Sequence, residues 1–113
     1  KYSLICNNIE KQAPNIDIDI LKKVLPKFIQ ELDHQYKLSY DKKIGIIMHL
    51  SGVICSLVDN IPIPKKFNYK NIILTHKKTY EYLYDILEII EEPFHIRFSD
   101  SDIASLIMII KEI

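Results

Sequence analysis

The chain has 113 residues, of which 48% are hydrophobic, and its 15 basic and 15 acidic side chains cancel. This length fits one folded domain with a modest core, and the balanced charge gives no attraction to nucleic acid or to an acidic membrane. The longest apolar stretch, residues 44–58, is shorter than the roughly 20 residues that span a bilayer. We therefore expect a folded domain that contacts neither nucleic acid nor membrane.

The two cysteines, Cys6 and Cys55, are far apart and show no metal-ligand spacing. Unpaired cysteines of this kind are typical of a reduced, intracellular protein, so a cytoplasmic location is predicted. Because the chain begins at Lys1 without a methionine, we also expect it to be part of a longer protein.

The first sixteen residues contain Asn-Asn and Pro-Asn pairs and are predicted to form an irregular lead-in, with one domain over residues 17–113. Asp17 is a suitable N-cap for a first helix, whose apolar pattern ends near Tyr36. Pro26 lies inside this pattern and is expected to kink or split the helix.

The next helix is predicted to begin after Ser39, a suitable N-cap, with Asp41 favourably placed in its first turn. Its pattern ends near Val58, where two closely spaced prolines favour an extended loop. A short helix is then predicted over residues 69–74.

The C-terminal part is predicted to hold two further helices. Thr75 is a suitable cap for a long helix that Pro93 stops, and Ser99 with Asp102 forms a capping-box pattern before the last helix. The weak alternation over residues 16–20 is a candidate for a short strand, whereas proline argues against a strand in the similar alternation over residues 61–64. The pattern as a whole predicts an all-α fold, a compact bundle of four to five helices joined by short loops.

The two glycines of the chain flank a single histidine, with Gly45 four residues before His49 and Gly52 three residues after it. At helical spacing all three share one face, so the imidazole has little cover from its own helix. One interpretation is a core histidine whose glycines let another helix pack closely. The other is a nucleophile that accepts a phosphoryl group from a donor protein, with Lys42 two turns back to attract the phosphate.

The remaining histidines, His34, His76 and His95, form no metal-binding pattern with His49. The sequence also contains no nucleophile elbow, phosphate loop or catalytic cysteine pattern. We therefore predict no catalytic residues, no cofactor and no metal, and we expect no enzymatic turnover.

The run Ile-Ile-Met-His-Leu at residues 46–50, with the apolar helix and proline-containing loop after it, resembles the PTS regulation domain (PRD). The segment at residues 89–110, with its proline, aromatic turn and acidic helix start, resembles the same family. The resemblance covers about residues 17–113. It looks most like the domain at the C-terminal end of sigma-54-dependent activators of the levanase-operon-regulator type.

This resemblance implies a compact bundle of five helices, commonly dimeric, within a bacterial antiterminator or transcriptional activator that controls a sugar-uptake operon. Histidines of the family are phosphorylated by HPr or by the sugar-specific EIIB component of the phosphotransferase system. By position, His49 is the phosphorylation site, Ile109 stands where the second histidine is expected, and Ser56 stands in place of an arginine. The resemblance therefore implies a regulatory domain with one phosphorylation site.

Two other functions stay open. The first is a structural interaction domain without phosphorylation, in which the face that carries Gly45 and Gly52 mediates helix packing or dimerisation. A histidine phosphotransfer domain of a two-component relay is also a helical bundle with a mid-helix histidine. The residues Leu50, Ser51 and Gly52 after His49 lack the lysine of that motif, so this function ranks last.

Overall fold

The computed structural model describes residues 16–61 and 68–113, which form six α-helices. In chain order these are α1 (Ile18–Tyr36), α2 (Tyr40–Val58), α3 (Tyr69–Thr75), α4 (Lys77–Ile86), α5 (Glu88–Phe94) and α6 (Asp100–Lys111). No strand occurs within these two described ranges, and the predicted all-α fold is confirmed. A separate finding is that no helix of the described chain has the length and apolar character needed to cross a bilayer.

The first two helices begin at their predicted caps. The carboxylate of Asp17 accepts a hydrogen bond from the backbone N–H of Asp19 at 3.1 Å, and Ser39 Oγ accepts one from the N–H of Lys42 at 3.2 Å. Because α1 starts directly after Asp17, the alternating residues 16–20 join a helix, and the suggested strand is wrong. The predicted lead-in lies outside the described residues, apart from its last member.

The last helix opens with the predicted capping box. Ser99 Oγ accepts a hydrogen bond from the N–H of Asp102 at 3.2 Å, and Asp102 Oδ2 accepts one from the N–H of Ser99 at 2.9 Å. These bonds satisfy two backbone donors that a helix start leaves open. Asp102 is only 8% exposed, so the capping carboxylate lies in the packed interior.

Pro26 does not split α1, contrary to one of the two expected outcomes. Proline removes the N–H that would bond to the carbonyl of Lys22, four residues earlier. Buried side chains on both sides of the proline hold the helix against the core: Leu21, Val24, Leu25, Phe28, Ile29 and Leu32. Their burial outweighs the lost hydrogen bond.

The helix predicted to start after Thr75 starts later. Thr75 is the last residue of α3, and the prediction that it caps the next helix is wrong. The N–H of His76 donates to the carbonyl of Ile72 at 3.0 Å, so the helical hydrogen bonds of α3 continue to His76. The chain therefore turns at His76, and α4 begins without a side-chain cap.

A second break falls at Leu87, between α4 and α5, where one continuous helix was predicted. The carbonyl of Leu87 accepts hydrogen bonds from the N–H groups of both Ile90 and Glu91, each at 2.9 Å, which tightens this turn. Pro93 lies in the last turn of α5 rather than after it, and the helix ends where His95 adopts left-handed backbone angles.

The core is built around α6, which packs against α2, α3 and α4, while α1 packs against α2 and α5. One face of α6 is almost wholly buried and contributes Ile103, Ala104, Leu106, Ile107 and Ile110. The buried face of α2 contributes Ile46, Ile47, Leu50, Val53 and Ile54. The opposite side of the contact between these two helices reaches the surface, and His49 lies there.

Three helices end in a left-handed residue that is not glycine. Lys37 after α1, His95 after α5 and Glu112 after α6 have φ angles of 52°, 55° and 57°. A side chain in this conformation costs about 1–2 kcal/mol, which is why helix ends favour glycine. Neither glycine of this chain is used in that way, because both lie inside α2.

We expect Ser99→Ala to lower the free energy of unfolding by about 1 kcal/mol, because the substitution leaves the N–H of Asp102 without its cap. Urea denaturation followed by circular dichroism measures this loss. Ser99→Asp supplies another capping oxygen and should remain within a few tenths of a kcal/mol of the wild type. Equal losses for both variants would contradict a role of the cap.

Candidate functional site

The site lies where α2 and α6 pack against each other in opposite directions. Lys42, in the first turn of α2, donates a hydrogen bond from Nζ to the carbonyl of Ile110 at 2.9 Å. One turn later, a methyl group placed on Gly45 would lie 3.9 Å from Cγ2 of Ile109. Residue numbers rise along α2 as they fall along α6, so the helices are antiparallel.

His49 is half-buried at the edge of an open concavity of about 550 Å³ between these helices. We call it the His49 groove, and its lining is His49, Ser105, Met108, Ile109, Glu112 and Ile113. Apolar side chains dominate this lining, and Glu112 is its one formally charged member. The groove brings together His49 and Ile109, the two positions that the family resemblance relates to phosphorylated histidines.

The glycines beside His49 are not required by packing within the described chain. A methyl group on Gly52 would meet no atom within 4 Å, and one on Gly45 would make only an ordinary van der Waals contact. Neither glycine has a positive φ angle. Close approach of another of the described helices therefore does not explain them, and neither glycine covers His49 with a side chain of its own.

The environment of His49 favours its neutral form. Burial lowers the pKa of the imidazole below its ordinary value of 6.5, and the negative charge of Asp102 opposes this shift only in part. Nε2 is buried without a hydrogen-bond partner among the described residues. A neutral ring has one nitrogen with a free lone pair, and rotation about χ2 exchanges the two nitrogens without moving the backbone.

Lys42 is already engaged and does not face His49 as a free cation. In addition to its hydrogen bond with Ile110, Nζ lies 3.8 Å from Oε1 of Glu112. It thus binds the C-terminal end of α6, where a cation is favourable for the helix dipole. Ser56, which stands in place of an arginine, does not line the groove either.

The other histidines lie elsewhere. His34 is in the last turn of α1, His76 separates α3 from α4, and His95 lines a larger concavity of about 960 Å³ between α1 and the α4–α5 segment. Within residues 16–61 and 68–113, no group of three or more His, Cys, Asp or Glu side chains could hold a metal ion. Burial and the nearby carboxylate of Asp59 raise the pKa of the Cys55 thiol, which keeps it protonated and unreactive.

Sequence reasoning missed two neighbours of His49, namely Asp102 and Ser105. The sequence does hold a sign of both residues, because Ser105 and Asp102 precede Ile109 by four and seven positions and so share its helix face. The burial of Ser51, whose hydroxyl has no partner among the described residues, was not predicted either.

We expect Gly52→Ala to raise the free energy of unfolding by about 0.5–1 kcal/mol, because alanine is the better helix former and the added methyl group meets open space. Gly45→Ala should act in the same direction. Urea denaturation of each variant measures the change. A loss of stability for Gly52→Ala would mean that another surface packs tightly against this position.

The lowered pKa of His49 predicts how stability depends on pH. Below the ordinary pKa of 6.5, the unfolded chain binds a proton at His49 that the folded chain does not, so folding stability falls as the pH falls through the lowered pKa. Replacement by glutamine removes this proton uptake. Urea midpoints measured between about pH 7 and about pH 5 should therefore fall less steeply for His49→Gln than for the wild type. Parallel curves would show that burial does not shift this histidine.

Comparison with known proteins identifies the fold family. The family model of the PRD domain matches residues 22–113, which include all of α2 to α6, most of α1 and the whole His49 groove. Searches of curated proteins and of solved structures give no significant match. The resemblance seen in the sequence is thus confirmed at the level of the family. The chain belongs to the PRD family, whose domains place transcriptional regulators under the control of phosphorylation by the sugar phosphotransferase system.

Proposed function

We propose that His49 accepts a phosphoryl group from HPr or from a sugar-specific EIIB component, and that this modification controls a bacterial transcriptional regulator. The observation that carries the proposal is a half-buried, neutral imidazole at the edge of an open groove. The uncovered surface at Gly52 supports it further, because a donor protein must approach the ring closely.

The chemistry needs little from the rest of the chain. The lone pair of the unprotonated imidazole nitrogen forms a bond to phosphorus while the bond between phosphorus and the donor atom breaks. The electron pair of the broken bond stays with the donor, and the second ring nitrogen of His49 keeps its proton. The lowered pKa helps, because a protonated imidazole has no lone pair to offer. In this proposal the domain receives a group and catalyses no turnover.

Phosphorylation would change the electrostatics of the contact between α2 and α6. The phosphoryl group adds about two negative charges. It enters a groove that already contains the carboxylate of Glu112 and lies within the electrostatic reach of Asp102. Repulsion among these groups would shift the packing of the two helices or of a surface that rests on them, which is the kind of local event that switches a regulator.

The finer assignments rest on the resemblance. The segment at residues 89–110 supports a sigma-54-dependent activator of the levanase-operon-regulator type, and family membership supports a cytoplasmic homodimer. The balanced charge of the chain supports DNA contact through another part of the regulator rather than through this domain.

A structural interaction domain is the second candidate, and exposed apolar side chains favour it. Met48 is 60% exposed, and Ile113, which lines the mostly apolar groove, is 56% exposed. Gly52→Leu separates the two functions. It should mainly block phosphorylation by a donor protein if the face is a docking surface, and it should abolish self-association if the face serves only for assembly.

The decisive experiment is intact-mass analysis after incubation with phosphoenolpyruvate, Enzyme I and HPr, with and without EIIB. We expect the wild type to gain one acid-labile phosphoryl group and His49→Ala to gain none. His95→Ala is the matched control, because this exposed histidine lies outside the His49 groove, and it should be phosphorylated like the wild type.

A label that persists in His49→Ala would place the site elsewhere. In the full-length regulator, the same substitution should make expression of the target operon independent of sugar supply. Sugar-dependent expression that survives the substitution would contradict control through this residue.

A further inference from the structure

Ser105 of α6 and His49 of α2 line the same groove. The contacts of Lys42 with Ile110 and of Gly45 with Ile109 fix the antiparallel register of α2 against α6. One turn further along α2 is His49, and one turn back along α6 is Ser105, since four residues make about one helical turn. Both residues line the groove, as this register requires.

Among the described residues, the hydroxyl of Ser105 makes a single hydrogen bond, and its partner is in the same helix. Its Oγ donates to the carbonyl of Ser101 at 3.0 Å, one turn earlier in the same helix. In an α-helix that carbonyl also accepts the backbone N–H of residue 105, so it keeps a partner when the hydroxyl turns away. Rotation about χ1 therefore frees the O–H without leaving a buried acceptor unsatisfied.

No other side chain that lines the groove beside His49 can donate a hydrogen bond to a phosphoryl oxygen. Met108, Ile109 and Ile113 have no donor, and Glu112 is an acceptor in its charged form. Lys42 binds the end of α6, as described, and Lys43 of the same helix forms an ion pair with Asp33 of α1 at 3.3 Å. The positions where the family resemblance places an arginine and a second histidine hold Ser56 and Ile109.

We propose that Ser105 is a phosphoryl-binding residue, whose hydroxyl turns from the carbonyl of Ser101 to donate a hydrogen bond to a phosphoryl oxygen on His49. This inference rests on the proposed function of His49. It assigns to a neutral hydroxyl the part that a cation plays in many phosphate sites, and a bond of this kind is stronger than one between neutral groups. The phosphoryl group is then held against α6 rather than left free in solvent.

The test loads the 113-residue chain with phosphoramidate, a small donor that needs no docking surface. The bond between phosphorus and nitrogen of phosphoramidate breaks, ammonia leaves, and the phosphoryl group bonds to the imidazole. The half-life of the phosphohistidine and its ³¹P chemical shift are then measured by NMR. We expect Ser105→Ala to shorten the half-life roughly fivefold to tenfold, because a hydrogen bond to a charged group is lost.

Two variants serve as controls. Ser105→Thr keeps a hydroxyl at the same place and should remain within about twofold of the wild-type half-life. Ser101→Ala removes a hydroxyl from the same helix outside the groove lining, where it contacts Ser99 Oγ at 2.9 Å, and it should leave both the half-life and the ³¹P shift unchanged. Circular dichroism confirms that each variant is folded.

The outcomes separate this inference from the function on which it rests. If His49 is phosphorylated and Ser105→Ala has the half-life and ³¹P shift of the wild type, the role of Ser105 is wrong and the function of His49 stands. If neither phosphoramidate nor a protein donor phosphorylates His49, both are wrong. If Ser105→Thr loses as much as Ser105→Ala, the effect comes from packing and the proposed hydrogen bond is overturned.

Discussion

The antiparallel contact between α2 and α6 determines everything else about the site. It is fixed at one end by the hydrogen bond from Lys42 to the carbonyl of Ile110 and is completed by the burial of one face of each helix. Because the register is set there, His49 meets the α6 face that carries Asp102 and Ser105, rather than solvent alone. A shift of one helix by a single turn would move the imidazole about 5.4 Å along α6, and the groove would lose its present lining.

The same contact favours the neutral form of His49. Burial against α6 disfavours a charge on His49, while Asp102 favours one, and the effect of burial is the larger. The ammonium group of Lys42 interacts with the C-terminal end of α6, so it does not hold an anion beside the imidazole of His49. Under the proposed function, a phosphoryl group on His49 would add negative charge to this contact, which is the kind of change that a regulator can sense.

The local elements were predictable, and the long-range placement was not. Asp17, Ser39 and the pair Ser99 and Asp102 act as caps because their short side chains reach nearby backbone N–H groups, which depends only on neighbouring residues. The break at Leu87 was missed because it depends on hydrogen bonds that tighten a turn without proline or glycine, and the break predicted at Thr75 falls one residue later, at His76. His49 could be singled out from its glycines, but its neighbours across the groove follow from the register of a helix more than fifty residues away.

The placement of glycine has a further consequence for the molecule. Positions that would gain from glycine, such as the left-handed residues Lys37, His95 and Glu112, do not have it, while the interior of α2 contains two that its backbone does not need. Glycine at the left-handed positions and alanine in place of Gly45 and Gly52 would yield a more stable molecule with the same fold, but would cover the surface beside the imidazole. The present glycines thus lower the stability of α2 and leave the helix face that carries His49 without two side chains.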